Sequence, residues 1–195
     1  EESWNGIASG PALVGMGSGN MITYTTPDLG SGTTLVFTWD AAAGGATAST
    51  EGGVTTGGGA SVLEMAFKNT GMVEGLTFGG GVGEQNRTTS STIGDYSDKP
   101  WEATAYAKFA IGGITIGYQE SAEDPGLSDI AGAQEYDSAN LAVSFQVNDD
   151  LTISYSDFDS VKSLNNDGAD ITMDIDSINI SYSMGAASIR LQDSD

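Results

Sequence analysis

The side chains able to do chemistry in this sequence are mostly carboxylates. Asn165 to Asp170 reads NNDGAD, the residue types of a calcium loop. The EF-hand spacing fails, because Lys162 falls where the first Asp is required and Met173 where the Glu should stand. This stretch reads as a solvated loop. The other acidic positions, among them Glu123, Asp124, Asp129, Glu135, Asp137, Asp157, Asp159 and Asp167, read as hydrated surface charge, and no metal site or cofactor is expected. The glycine-rich pieces GMGSGN (Gly15 to Asn20) and TGGGAS (Thr56 to Ser61) lack a Walker lysine and a following helix, so they are not phosphate cradles. Asn86-Arg87-Thr88 matches a glycosylation sequon, a pattern frequent by chance.

Two absences shape the rest. The chain has no His and no Cys, which removes the commonest general base, the commonest metal ligand and the thiolate nucleophile. Neither Ser-His nor Cys-His machinery exists in it, and it is not expected to be an enzyme. Twenty-seven Asp plus Glu against 6 Lys plus Arg give a net charge of −21. That balance repels nucleic acid and favours cations or basic partners. No apolar run reaches the roughly eighteen residues of a membrane-spanning helix. Twenty-eight Gly, few Pro and abundant Ser, Thr and β-branched residues describe an all-β chain.

The elements follow from turns that keep the apolar alternation in register, since a one-residue slip throws every side chain to the opposite face. Ile111 and Ile114 match across Gly112-Gly113, Met184 and Ala187 across Gly185-Ala186, and Val147 and Leu151 across the turn at Asn148. Strands are expected near 21–26, 34–42, 61–68, 76–84, 101–111, 114–121, 139–147, 151–158, 170–184 and 187–192. In the ninth, Ile171, Met173 and Ile175 share one parity and Ile178, Ile180 and Tyr182 the other. A bulge near Asp176 or Ser177, or a first part beyond the apolar zone, accounts for the change. Short connections alternate with long ones, at 43–59, 85–99, 122–135 and 159–169, giving ten strands in five hairpins.

Periodicity alone does not say which face is wet. Strand lengths approach the nine to eleven residues of a tilted bilayer crossing, and short turns at one end with long loops at the other is the arrangement of a porin-type barrel. Phe37, Trp39, Phe67, Phe78, Trp101, Phe109, Tyr118, Phe145, Tyr155 and Tyr182 lie on the apolar parity, as an interfacial girdle requires. The expected fold is therefore an antiparallel transmembrane β-barrel with apolar residues toward lipid. The opposite parity, carrying Glu64, Lys68, Glu102, Tyr106, Lys108, Gln119 and Arg190, lines water. Lys68, Lys108 and Arg190 are expected to form a positive sector of that wall.

The segments NMITYTTPDLGSG (Asn20 to Gly32), NDDLTISYSDFDS (Asn148 to Ser160) and SINISYSMGAASIRLQDSD (Ser177 to Asp195) resemble a Gram-negative general porin of the alphaproteobacterial type. The resemblance extends over about positions 1–195, read as one β-barrel domain. It implies a sixteen-stranded barrel of which about ten strands are present here, from the constriction loop to the penultimate strand. It implies a homotrimer in the bacterial outer membrane, in contact with lipid and lipopolysaccharide and passing small hydrophilic solutes and ions. By the same resemblance, residues 1–20 end the inward-folded constriction loop, Glu1 and Glu2 are eyelet acids, and Lys68, Lys108 and Arg190 are the opposing wall bases. Net acidity implies a preference for cations. The competing expectation is a surface β-sandwich or barrel acting in adhesion or carbohydrate binding; a third, a barrel enzyme, lacks its His.

Overall fold

The computed structural model describes residues 21–43, 60–86, 99–124, 133–164, 169–185 and 187–195. These form ten strands and no helix: β1 (Met21–Thr25), β2 (Thr33–Ala43), β3 (Ala60–Asn69), β4 (Leu76–Asn86), β5 (Trp101–Ile111), β6 (Ile114–Asp124), β7 (Ala133–Gln146), β8 (Leu151–Leu164), β9 (Ile171–Met184) and β10 (Ala187–Ser194). They make one sheet in which each strand pairs antiparallel with the next in sequence, so the order is β1 to β10 without a crossover. β1 and β10 are the edges, and the sheet is not closed.

The tight turns are built as their residues dictate. Ile111 pairs with Ile114 around Gly112, which takes φ +57°, and Met184 pairs with Ala187 around Gly185 at φ +60°. At the third turn the Val147 N–H donates to the Leu151 carbonyl at 2.8 Å, and the Asn148 side-chain oxygen accepts from the N–H groups of Asp150 and Leu151. Between β3 and β4 the chain turns at Gly75, φ +79°, where a Cβ would collide with the Ala110 carbonyl.

The two faces of the sheet are unequal, with the polarity of a water-soluble core reversed. Leu141, Phe145, Ile153 and Tyr155 are 40–49% exposed, whereas Thr38, Ser121, Ser138, Ser156, Ser160 and Ser177 on the other face are buried. Hydroxyls on that face satisfy one another across strands: Ser138 with Ser160 at 3.0 Å and Ser156 with Ser177 at 2.7 Å. Among described residues, the only buried hydrophobic ones are Val62, Tyr136, Ala142 and Phe158. Among the described residues there is one sheet rather than two packed together, and no second layer of strands covers the apolar side.

The strands outrun their apolar stretches. β7 starts at Ala133 and β8 continues to Leu164, so the ends of two expected long loops are paired strand. Backbone pairing needs no greasy face, and beyond Tyr155 the ladder continues with Asp157 opposite Leu141 and Asp159 opposite Ala139 on the formerly apolar side. The same fact resolves the parity change in β9. Its register against β8 is continuous from Leu151–Tyr182 to Lys162–Ile171, with no bulge at Asp176 or Ser177. Ile175 pairs with the inward Phe158, so the first part of β9 lies beyond the apolar zone. Irregular register occurs instead at Asp40/Ala43 and Ala133/Glu135.

Candidate functional site on the polar face

Antiparallel register places residues of successive strands side by side, so polar-face chemistry is organised in rows across the sheet. One row runs Lys68, Gly79, Tyr106, Gln119, Asn140, Phe158. Lys108 stands one inward position nearer the short turns, beside Thr77 and Gly117. Lys68, Tyr106, Lys108, Gln119 and Asn140 line a cavity of about 460 Å³. Gly117 contributes to its lining, and the Tyr106 hydroxyl lies over Gly79, where a Cβ would come within 2.9 Å of it and 2.5 Å of the Phe67 carbonyl. Gln119 donates to the Thr104 hydroxyl at 3.2 Å, and Thr104 donates to the Glu120 carbonyl at 3.1 Å. Two ammonium groups and a set of amides and hydroxyls suit a passing anion or hydrated solute.

A second row lies four residues toward the long connections, roughly 13 Å away at about 3.3 Å per residue. It reads Thr38, Glu64, Gly83, Glu102, Glu123, Tyr136, Lys162. The three glutamates are thus separated along the strand direction from Lys68 and Lys108, while Lys162 ends their own row. Glu102 is only 2% exposed, and Glu64 and Glu123 are buried as well. The Lys162 ammonium lies 5.5 Å from the centre of the Tyr136 ring, a cation–π distance.

The expected site residues divide accordingly. Glu64 and Glu102 come together, and so do Lys68, Tyr106, Lys108 and Gln119. Arg190 does not join the two lysines: it stands on the edge strand β10, paired with Ser181 of β9 and five strands from β5, so the expected three-residue positive sector is two lysines and a separate arginine. Glu1 and Glu2 lie outside the described residues. Glu64 and Glu102, expected on the water-lining parity, are both buried in this sheet. Glu123 and Lys162, read as loop residues from sequence, are on strands and belong to the acid row. The signal available for them was parity, had β6 and β8 been extended past their apolar residues.

On the apolar face a boundary is marked by side-chain hydrogen bonds. Tyr118 donates to Glu120 at 2.7 Å, and Tyr155 donates to Asp176. Each phenol has its ring on the greasy surface and its hydroxyl on the first carboxylate beyond it, the disposition that suits a membrane–water boundary. Further along stand Asp157, Asp159 and Asp174, whose carboxylate oxygens come within 4.8 Å of one another. No family model matches the chain, and a search of curated proteins finds no match.

Proposed function

We propose that the protein is an outer-membrane porin of a Gram-negative bacterium, its apolar face against lipid and its polar face lining a water-filled path for small hydrophilic solutes and ions. One observation carries the reading: a single sheet whose large apolar residues are mostly exposed while most of its buried side chains are hydroxyls and glutamates of the other face. A wall of this kind does no turnover chemistry. Hydrocarbon does not tolerate unpaired backbone groups, so in a membrane β1 and β10 pair with each other or with further strands. Assembly as a homotrimer, and contact with lipopolysaccharide through the surface beyond Tyr118 and Tyr155, belong to the same proposal.

The test is reconstitution into liposomes. Swelling in small sugars, with exclusion of large oligosaccharides, is expected; vesicles that stay impermeable, or protein that is monodisperse without detergent and binds carbohydrate, would overturn the reading in favour of a surface adhesin. Net charge predicts cation preference in a planar bilayer. Reversing both wall lysines, Lys68→Glu with Lys108→Glu, is expected to raise the cation-to-anion permeability ratio by roughly sevenfold for each kT of local potential removed, since cations gain and anions lose by a factor of about e each. An unchanged zero-current potential in the double variant would show that the two lysines do not border the path.

A further inference from the structure

The net charge of −21 hides a local reversal. From the row of Lys68 down to the short turns, the inward strand positions of β3 to β10 carry no carboxylate among the described residues, and they carry three bases, Lys68, Lys108 and Arg190. Glu64 stands four residues up the strand from Lys68, and Glu102 four up from Tyr106, about 13 Å away at about 3.3 Å per residue. Two of the three bases, Lys68 and Lys108, share the cavity of about 460 Å³. Each has a glycine as a cross-strand neighbour, Gly79 beside Lys68 and Gly117 beside Lys108. Among the described residues Lys68 makes no ion pair. Lys108 has an interaction of its own within the chain, and its ammonium has three N–H donors to divide.

What such a cavity takes follows from its donors. The Tyr106 hydroxyl reaches over Gly79, the residue beside Lys68. Gln119 gives one amide N–H to Thr104 and has a second. Ammonium, phenol and amide donors therefore line one space, which repels metal cations and suits an oxyanion. A monocarboxylate answers only one ammonium. A phosphate monoester carries about −1.5 to −2 charges near neutral pH and three acceptor oxygens, which matches two. Lysine binds phosphate well as a point charge. The cavity is also larger than a phosphate, within the roughly 300–1,000 Å³ of small-molecule sites. Thr77 and Asn140 on its lining suit the hydroxyls of a polyol attached to that phosphate.

We propose that the cavity of Lys68 and Lys108 is a binding site for a small phosphorylated polyol, its phosphate held between the two ammonium groups. The site stands on the cavity's lining and on the placement of charge, and its test does not read permeation. Where the polar face borders a channel, the site is a station on the path, on the short-turn side of the acid row.

The experiment titrates glucose 6-phosphate into the full chain folded in detergent at low salt, read by calorimetry. One saturable event is expected, weakening as salt is raised. It should weaken roughly tenfold or more in Lys68→Gln and in Lys108→Gln, each of which loses a charge-assisted hydrogen bond to phosphate. Lys99→Gln removes the same charge at the far end of β4, where Lys99 pairs with Glu84, and is expected to leave the affinity within about twofold. Glucose should not bind, and succinate should bind about tenfold more weakly or less. Gel mobility with and without heating confirms that each variant is folded. No saturable binding by the folded wild type, unaltered affinity in both cavity variants, or an equal loss in Lys99→Gln would overturn the site. Succinate binding as tightly as the phosphate would overturn the choice of ligand. Impermeable liposomes with binding intact would sink the porin reading alone, and absent binding with swelling intact would sink this one alone.

Discussion

Ile153→Arg is expected to destabilise the protein in a lipid bilayer by about 2–4 kcal/mol, the cost of a basic side chain near the midplane of a barrel's lipid face. Thr152→Arg, one residue away, is expected to change stability by less than about 1 kcal/mol, because an arginine on the polar face reaches water. Ile153 sits in an unbroken apolar row, Ile111, Ile114, Phe145, Ile153, Ile180, Leu191, that crosses six strands. Phe145, Ile153, Ile180 and Leu191 are 38–62% exposed, so no protein neighbour shields a charge placed among them. In water that position would accept arginine at almost no cost, which makes the sign and size of the effect informative. Urea titration of the protein folded in lipid vesicles measures it. Equal effects at 152 and 153 would mean that the two faces meet the same solvent.

The second large effect is expected at Asn69. This side chain is 2% exposed and ties two neighbouring turns together. Its Nδ2 donates to the Ser31 carbonyl at 2.9 Å and to the Thr33 hydroxyl at 2.7 Å, while its Oδ1 accepts from the N–H groups of Met72 at 3.0 Å and Gly71 at 3.3 Å. Asn69→Ala removes all four bonds and opens a polar gap that the turns cannot close without moving. At about 0.5–1.5 kcal/mol for each bond, partly offset by water entering the turn, the expected loss is about 2–3 kcal/mol. Asn69→Asp keeps the acceptor and loses the donors, so it should lie between wild type and Asn69→Ala in the same urea titration. A loss below about 0.5 kcal/mol in Asn69→Ala would show that the turns hold without this clamp.

Much of the sheet is legible in the sequence wherever one residue's environment repeats two positions later. Ile111 and Ile114 around two glycines, and Val147 and Leu151 around Asn148, fix the pairing of β5 with β6 and of β7 with β8 before any coordinates are known. The rule stops at the edge of the apolar zone, and there sequence reading goes astray. From Asp157 onward the side that was greasy becomes acidic while Phe158 turns inward, so alternation no longer identifies a face and the paired extensions of β7 and β8 look like loop. The acid row was hidden for the same reason. Glu102 faces Glu123 by the same register that pairs Ile111 with Ile114, once β6 is extended, but their alignment with Glu64 and the gap at Gly83 depend on the register of β4, whose inward positions Gly79, Gly81 and Gly83 carry no pattern. Arg190 shows the complementary limit: parity puts it on the correct face and says nothing about how many strands separate it from Lys108.

Because the chain has no cysteine, single nitroxide labels can be placed along β8 from residue 151 to 156 and along β7 from 141 to 146 without background. Collision rates with oxygen, which concentrates in lipid, and with a water-soluble nickel chelate then report each side chain's solvent in vesicles. The orientation described here predicts a two-residue alternation, with 141, 143, 145, 151, 153 and 155 oxygen-rich and the intervening positions chelate-rich. Labels at 141, 145, 153 and 155 shielded from both reagents would place those side chains in a dry protein interior and contradict it.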